Sequence, residues 1–196
     1  MGKKFKVDRG NVEKEKAVKL IAITPDAAKL EIYKHERHIE SIKFQWQLHK
    51  TYSNKYLAYK NVKKVMKSTK CDAVKLEGGR EIVNIIKYLT KKGIPVMGHI
   101  GLLPQSSKVF KLKGKNSIQK KQILQDAIAL SNSGVFAIVI ECVVESLAKK
   151  ITNNVSVPTI GIGASKYCDG QILVIDDMIG LSDFSPRFVK QYSQVK

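Results

Sequence analysis

Four short apolar runs in this chain end in residues that could do acid–base or electrostatic chemistry. The first closes with Lys75, Leu76 and Glu77 before Gly78-Gly79, and the second with His99 flanked by Gly98 and Ile100-Gly101. The third closes with Glu141 and Cys142, and the fourth with Gly161-Ile162-Gly163. A carboxylate at the end of a buried strand, such as Glu141, can be tuned by its surroundings to move protons. A lysine nearby would complement an anionic substrate. Each residue also has an ordinary use. Lys75 fits a surface lysine, Glu77 a carboxylate at a helix N-terminus, and His99 a ring bonded to backbone. Gly161-x-Gly163 lacks the third glycine of a dinucleotide fingerprint. The set is more specific than any member, because all four are predicted strand ends.

The elements that must position them alternate. Strands are predicted at 17–23, 42–48, 73–77, 95–99, 136–141, 157–161 and 171–175. Helices are predicted at 25–38, 54–67, 80–92, 116–133, 144–152 and 186–192, with Pro25 in a first turn, Gly93 closing the third and Asn116-x-x-Gln119 as a capping box opening the fourth. Strands separated by single helices imply parallel pairing through crossovers. Periodicity leaves a doubly wound sheet and a (β/α)8 barrel both open. In either, the strand C-terminal ends share one face, where ligands bind. The Lys-rich residues 1–16 read as a basic arm, and 17–196 as one domain.

The 196 residues carry a net charge of +18, with 31 lysines against 4 arginines. Arginine is the side chain that grips phosphate and bases bidentately, and the lysines are spread along the chain, so no nucleic-acid partner is expected. No apolar run reaches the roughly 20 residues of a membrane span, and MGKKFKVDRG has no apolar signal core, so a cytoplasmic location and no membrane partner are expected. Cys71, Cys142 and Cys168 are odd in number, widely spaced and without a C-x-x-C, which reads as three reduced thiols.

The runs DAVKLEGG (72–79), GIPVMGHIG (93–101), PQS (104–106), ECV (141–143), LAKKIT (147–152), PTIGIGA (158–164) and DGQILV (169–174) occur in an order and spacing that resembles ketopantoate hydroxymethyltransferase, from about residue 54 to 192. The resemblance implies a (β/α)8 TIM-type barrel, assembled as a cytoplasmic homo-oligomer. It implies Mg2+-dependent transfer of a hydroxymethyl group from 5,10-methylenetetrahydrofolate to 3-methyl-2-oxobutanoate, in pantothenate biosynthesis. By the same resemblance Glu141 is the catalytic proton acceptor, Lys75 and His99 bind substrate, and Glu77 is the metal-associated glutamate.

The resemblance fails before residue 54. The family's strand ending Gly-Asp-Ser and its strand ending Asp before Pro-Phe are not found. Residues 44–48 read FQWQL instead, and Asp26 matches a different position. The loop after Ser106 is shorter than the family's, and the usual C-terminal extension is missing. The expectation is therefore an incomplete barrel of about seven strands, one β/α unit lost or scrambled, with a depleted metal shell. Its activity is that of the family or, alternatively, it is an inactive remnant kept as a binding or oligomerisation partner.

Overall fold

A computed structural model of the chain describes residues 20–22, 54–104, 107, 111–181 and 186–194. The expected helix 25–38, strand 42–48 and arm 1–16 lie outside the described residues.

Six parallel strands form one sheet: β1 (Leu20–Ala22), β2 (Ala73–Glu77), β3 (Val96–Gly101), β4 (Ala137–Glu141), β5 (Thr159–Ile162) and β6 (Gly170–Gln171). Each lies beside its neighbour in sequence, in the order β1-β2-β3-β4-β5-β6. A doubly wound sheet reverses direction at a switch point. The described strands never do, so the sheet is an arc of barrel type.

The helices follow from capping and apolar spacing. Helix α1 (Lys55–Thr69) starts where the Asn54 side chain accepts the Tyr56 amide at 2.7 Å, and it buries Ala58, Val62 and Val65. A short 3₁₀ turn at Arg80–Ile82 leads into α2 (Val83–Lys91), which buries Ile85, Ile86 and Leu89. Helix α3 (Ser117–Ser131) has Asn116 as cap, accepting the Gln119 amide at 2.9 Å. The other half of the expected capping box differs: Gln119 Oε1 accepts the Gly114 amide at 3.1 Å and so ties the incoming loop to the helix. Helix α4 (Glu145–Asn154) buries Leu147, Ala148 and Ile151. Among the described residues no helix is long and apolar enough to cross a membrane.

Strand alternation sorts the core into two layers. Val74, Leu76, Val96, Ile100, Ile138 and Ile140 face the helices and form the main cluster with their buried residues. Met97, Ala137 and Val139 face the other way, with Ile160 and Ile162 against them. Burial on both faces is what gives parallel strands their near-continuous apolar runs. Each fully buried Ile or Leu contributes about 1.5–3 kcal/mol.

Two expected elements differ. The strand predicted at 171–175 is only Gly170–Gln171, and Ile175 begins a short helix α5 (Ile175–Met178). Asp176 and Asp177 lie in that helix's first turn, where its dipole favours carboxylates. The helix predicted at 186–192 is a single turn: Val189 donates to Pro186 at 2.9 Å, but the Tyr192 amide goes to the Met178 carbonyl at 2.8 Å, which diverts the chain from a helical path.

Candidate active site

Because Val74 and Leu76 turn toward the helices, Lys75 and Glu77 are directed to the opposite face of β2. The register sets Lys75 beside Met97 and Glu77 beside His99. On the other side His99 pairs with Val139 and Gly101 with Glu141, so Glu141 stands one pleat beyond His99 on the next strand. The imidazole bridges the two carboxylates. Its Nδ1 lies 3.4 Å from Glu77 Oε1 and its Nε2 lies 3.1 Å from Glu141 Oε2. The side chains of His99, Glu77 and Glu141 are 1%, 5% and 14% exposed. The four residues expected to act together thus sit on three consecutive strands, at their C-terminal ends, and three of them touch.

Burial opposes a charge on His99, but Glu141 and then Glu77 outweigh it, against the opposing field of Lys75, and the imidazole pKa is raised. The line therefore alternates in sign, carboxylate–imidazolium–carboxylate, with Lys75 close enough to be felt. Neither ring nitrogen makes a well-aligned hydrogen bond. The contacts are ion pairs by distance.

The backbone beyond Glu141 is tightly bound. Its carbonyl accepts the Leu102 amide at 2.8 Å. Gly101 has φ +95°, and a Cβ there would overlap that same carbonyl oxygen, so glycine is what lets β3 and β4 close together above the site. Cys142 takes a left-handed φ of +47°; its amide donates to the Ile162 carbonyl at 2.9 Å, and its carbonyl accepts from Lys113 at 2.7 Å. Burial, followed by the Glu141 charge, pushes the Cys142 thiol up to about 11, which makes it a poor nucleophile at neutral pH.

The turn after Glu77 is pinned from α3. Asp126 Oδ1 accepts the Arg80 backbone amide at 3.2 Å and the Arg80 Nε at 2.8 Å, while Glu81 Oε1 accepts the Gly79 amide at 2.7 Å. No sequence signal links Asp126 to this turn, 46 residues away. Of the glycine-rich fourth end, Gly161 packs on Gln171 and Cys168, and Gly163 (φ +55°) lies under the ring of Phe188. Phe188 was not among the residues singled out from sequence.

A hard cation such as Mg2+ wants several oxygen donors in an octahedron. Among the described residues no group of three His, Cys, Asp or Glu side chains is arranged to hold a metal. Glu77 and Glu141 both face a ring held toward its charged form. The described donor set therefore does not make a Mg2+ site by itself.

A family model described as ketopantoate hydroxymethyltransferase matches residues 48–196. The 3-methyl-2-oxobutanoate hydroxymethyltransferase of Pelagibacter ubique is 57% identical over 148 residues, 76% of this chain and 58% of that one. The Caulobacter vibrioides protein of that name is 51% identical over 142 residues, covering 71% of this chain and 52% of the relative. The 3-methyl-2-oxobutanoate hydroxymethyltransferase 2 of Zymomonas mobilis is 50% identical over 141 residues, covering 70% and 52%. The chain spans little more than half the length of these relatives.

Proposed function

The chain belongs to the ketopantoate hydroxymethyltransferase family, and from that premise we propose that its strand-end site transfers a hydroxymethyl group from 5,10-methylenetetrahydrofolate to 3-methyl-2-oxobutanoate. The observation that carries this reading is the buried line Glu77–His99–Glu141 with Lys75 beside it.

The chemistry asks for three things. The keto acid must be held by its carboxylate, the proton on the carbon next to the ketone must be removed, and the negative charge that then develops on oxygen must be met. The Lys75 ammonium answers the first by charge complementarity. Glu141 stands at the rim and accepts the proton. The His99 imidazolium, a preorganised cation in a dry site, faces the developing enolate, and such stabilisation is usually the largest catalytic term. The enolate carbon bonds to the methylene carbon of the co-substrate as one of that carbon's two C–N bonds breaks, and the freed nitrogen takes the proton held by Glu141. Water then releases tetrahydrofolate and supplies the hydroxyl. Glu77 anchors His99 from the side away from Glu141.

The family's Mg2+ belongs to this reading as an expectation only. Its donors must come in part from outside the described residues, and no step above depends on it. A fold retained only as a partner surface gains nothing from two buried carboxylates around an imidazole, an arrangement that costs desolvation energy. The remnant reading is therefore the weaker one. The test is formation of ketopantoate by the purified chain from both substrates, with and without Mg2+. Its absence in both, with the protein folded and 3-methyl-2-oxobutanoate not bound, would overturn the proposal.

A further inference from the structure

The keto acid of the proposed reaction is small and charged, and Lys75 and His99 suit it. The one-carbon donor is different. It carries its reacting carbon on a large, uncharged bicyclic ring far from its charged glutamate tail, and the deep line of ionised groups offers that ring nothing. It must approach from above the strand ends, close enough to bring its methylene carbon to Glu141.

Among the described residues, the ring of Phe188 lies there. Phe188 packs an edge, Cδ1 to Cζ, onto the Cα of Gly163, which follows β5 and holds φ +55° with no space for a Cβ. Gly163 is next to Ile162, the residue paired with Glu141. The ring is nevertheless 42% exposed. Other exposed rings are placed differently: Tyr56 belongs to α1, Phe136 precedes β4 at the opposite end, Tyr167 sits under the Lys149 ammonium at 4.0 Å, and Tyr192 has the Lys190 ammonium 5.4 Å from its centroid. The segment carrying Phe188 is fixed by the Tyr192–Met178 hydrogen bond and by the Ser193 carbonyl packed against Gly180. A partly exposed ring held on the glycine that follows the strand end paired with Glu141 is suited to stacking on a heterocycle.

Resting on the hydroxymethyltransferase reading, we propose that Phe188, seated on Gly163, is the stacking platform for the pterin ring of the reduced folate. It acts in binding and aims the donor at Glu141. It plays no part in proton transfer.

The test is calorimetric titration of the full chain with three probes: 5-formyltetrahydrofolate, p-aminobenzoylglutamate (the same tail without the pterin) and 3-methyl-2-oxobutanoate. Phe188→Leu keeps apolar packing on Gly163 and removes the π face. It is expected to weaken 5-formyltetrahydrofolate by about tenfold and leave the other two probes within about twofold, whereas Phe188→Tyr binds the folate like wild type. Three results would overturn the platform: unchanged folate affinity in Phe188→Leu, equal loss for all three probes, or wild type that binds the keto acid but no reduced folate. If wild type binds both ligands and forms no ketopantoate, while Phe188→Leu selectively loses the pterin, the reaction fails and the platform stands.

Discussion

His99 and Glu141 meet at 3.1 Å, Nε2 to Oε2, across a diagonal between adjacent parallel strands, and the same ring reaches Glu77 on its far side at 3.4 Å. One cation thus separates two buried anions. His99→Gln removes the charge while keeping a polar side chain, and leaves two carboxylates facing each other. Unpairing a buried charge costs on the order of 3–5 kcal/mol. Urea denaturation at neutral pH should show a loss of that size. A loss below about 1 kcal/mol would mean that the contacts are electrostatically idle.

The raised pKa of His99 fixes a sign. A group that holds its proton more tightly in the folded state contributes stability that is fully present below its unfolded pKa of about 6.5. That contribution is lost as pH rises through the higher folded value. The unfolding midpoint of wild type should fall on the alkaline side of about 6.5, and His99→Gln should lack this component. If the two midpoints run parallel across this window, His99 is neutral in the fold.

Glu141→Gln should abolish ketopantoate formation while leaving 3-methyl-2-oxobutanoate affinity close to wild type, because the amide keeps the shape and cannot take the proton. Comparing turnover with calorimetric affinity checks this. Equal losses in both would make Glu141 a binding group rather than the base.

The two Asp-bearing strand ends of the family are not found in the sequence before residue 54, so Mg2+ should bind weakly and turnover should be slow. Loss of metal ligands or their supports costs about 10–100-fold in affinity or activity. Turnover of roughly 1 per second or more at saturating Mg2+, abolished by Glu141→Gln, would show that the metal shell is complete.

Gly101→Ala places a methyl group against the Glu141 carbonyl at a φ of +95°. Strain of this kind costs about 1–3 kcal/mol, and the adjustment must move β4 at Glu141. Both stability and any turnover should drop. Gly93, at φ +76° with open space around it, is the control: Gly93→Ala should cost stability alone.

The strands that carry the site were legible because their apolar runs are continuous and each closes in a charged residue or a glycine. Val96–Gly101 and Ala137–Glu141 fall within two residues of expectation. Where a run was short, a local charge or a distant hydrogen bond decided the structure. Ile175 joins a helix because two aspartates follow it, and residues 186–192 are held open by the Tyr192–Met178 bond. The four site residues were readable as strand ends, but not their register. That His99 stands between the carboxylates depends on how β3 registers against β2 and β4, and only the paired sheet supplies it. Phe188 had no signal at all, since its role depends on contact with a residue 25 positions earlier.

The unbroken order of the strands has a consequence for how such a protein tolerates damage. Position along the chain maps directly onto position around the site, each β/α unit supplying one wall. Excising or rewriting a unit deletes its wall and leaves every other wall at its former address. A sheet whose crevice is built between strands remote in sequence has no such modularity. The chemistry of this fold can therefore be lost in sectors, one wall at a time, while the acid–base sector between β2 and β4 keeps its place.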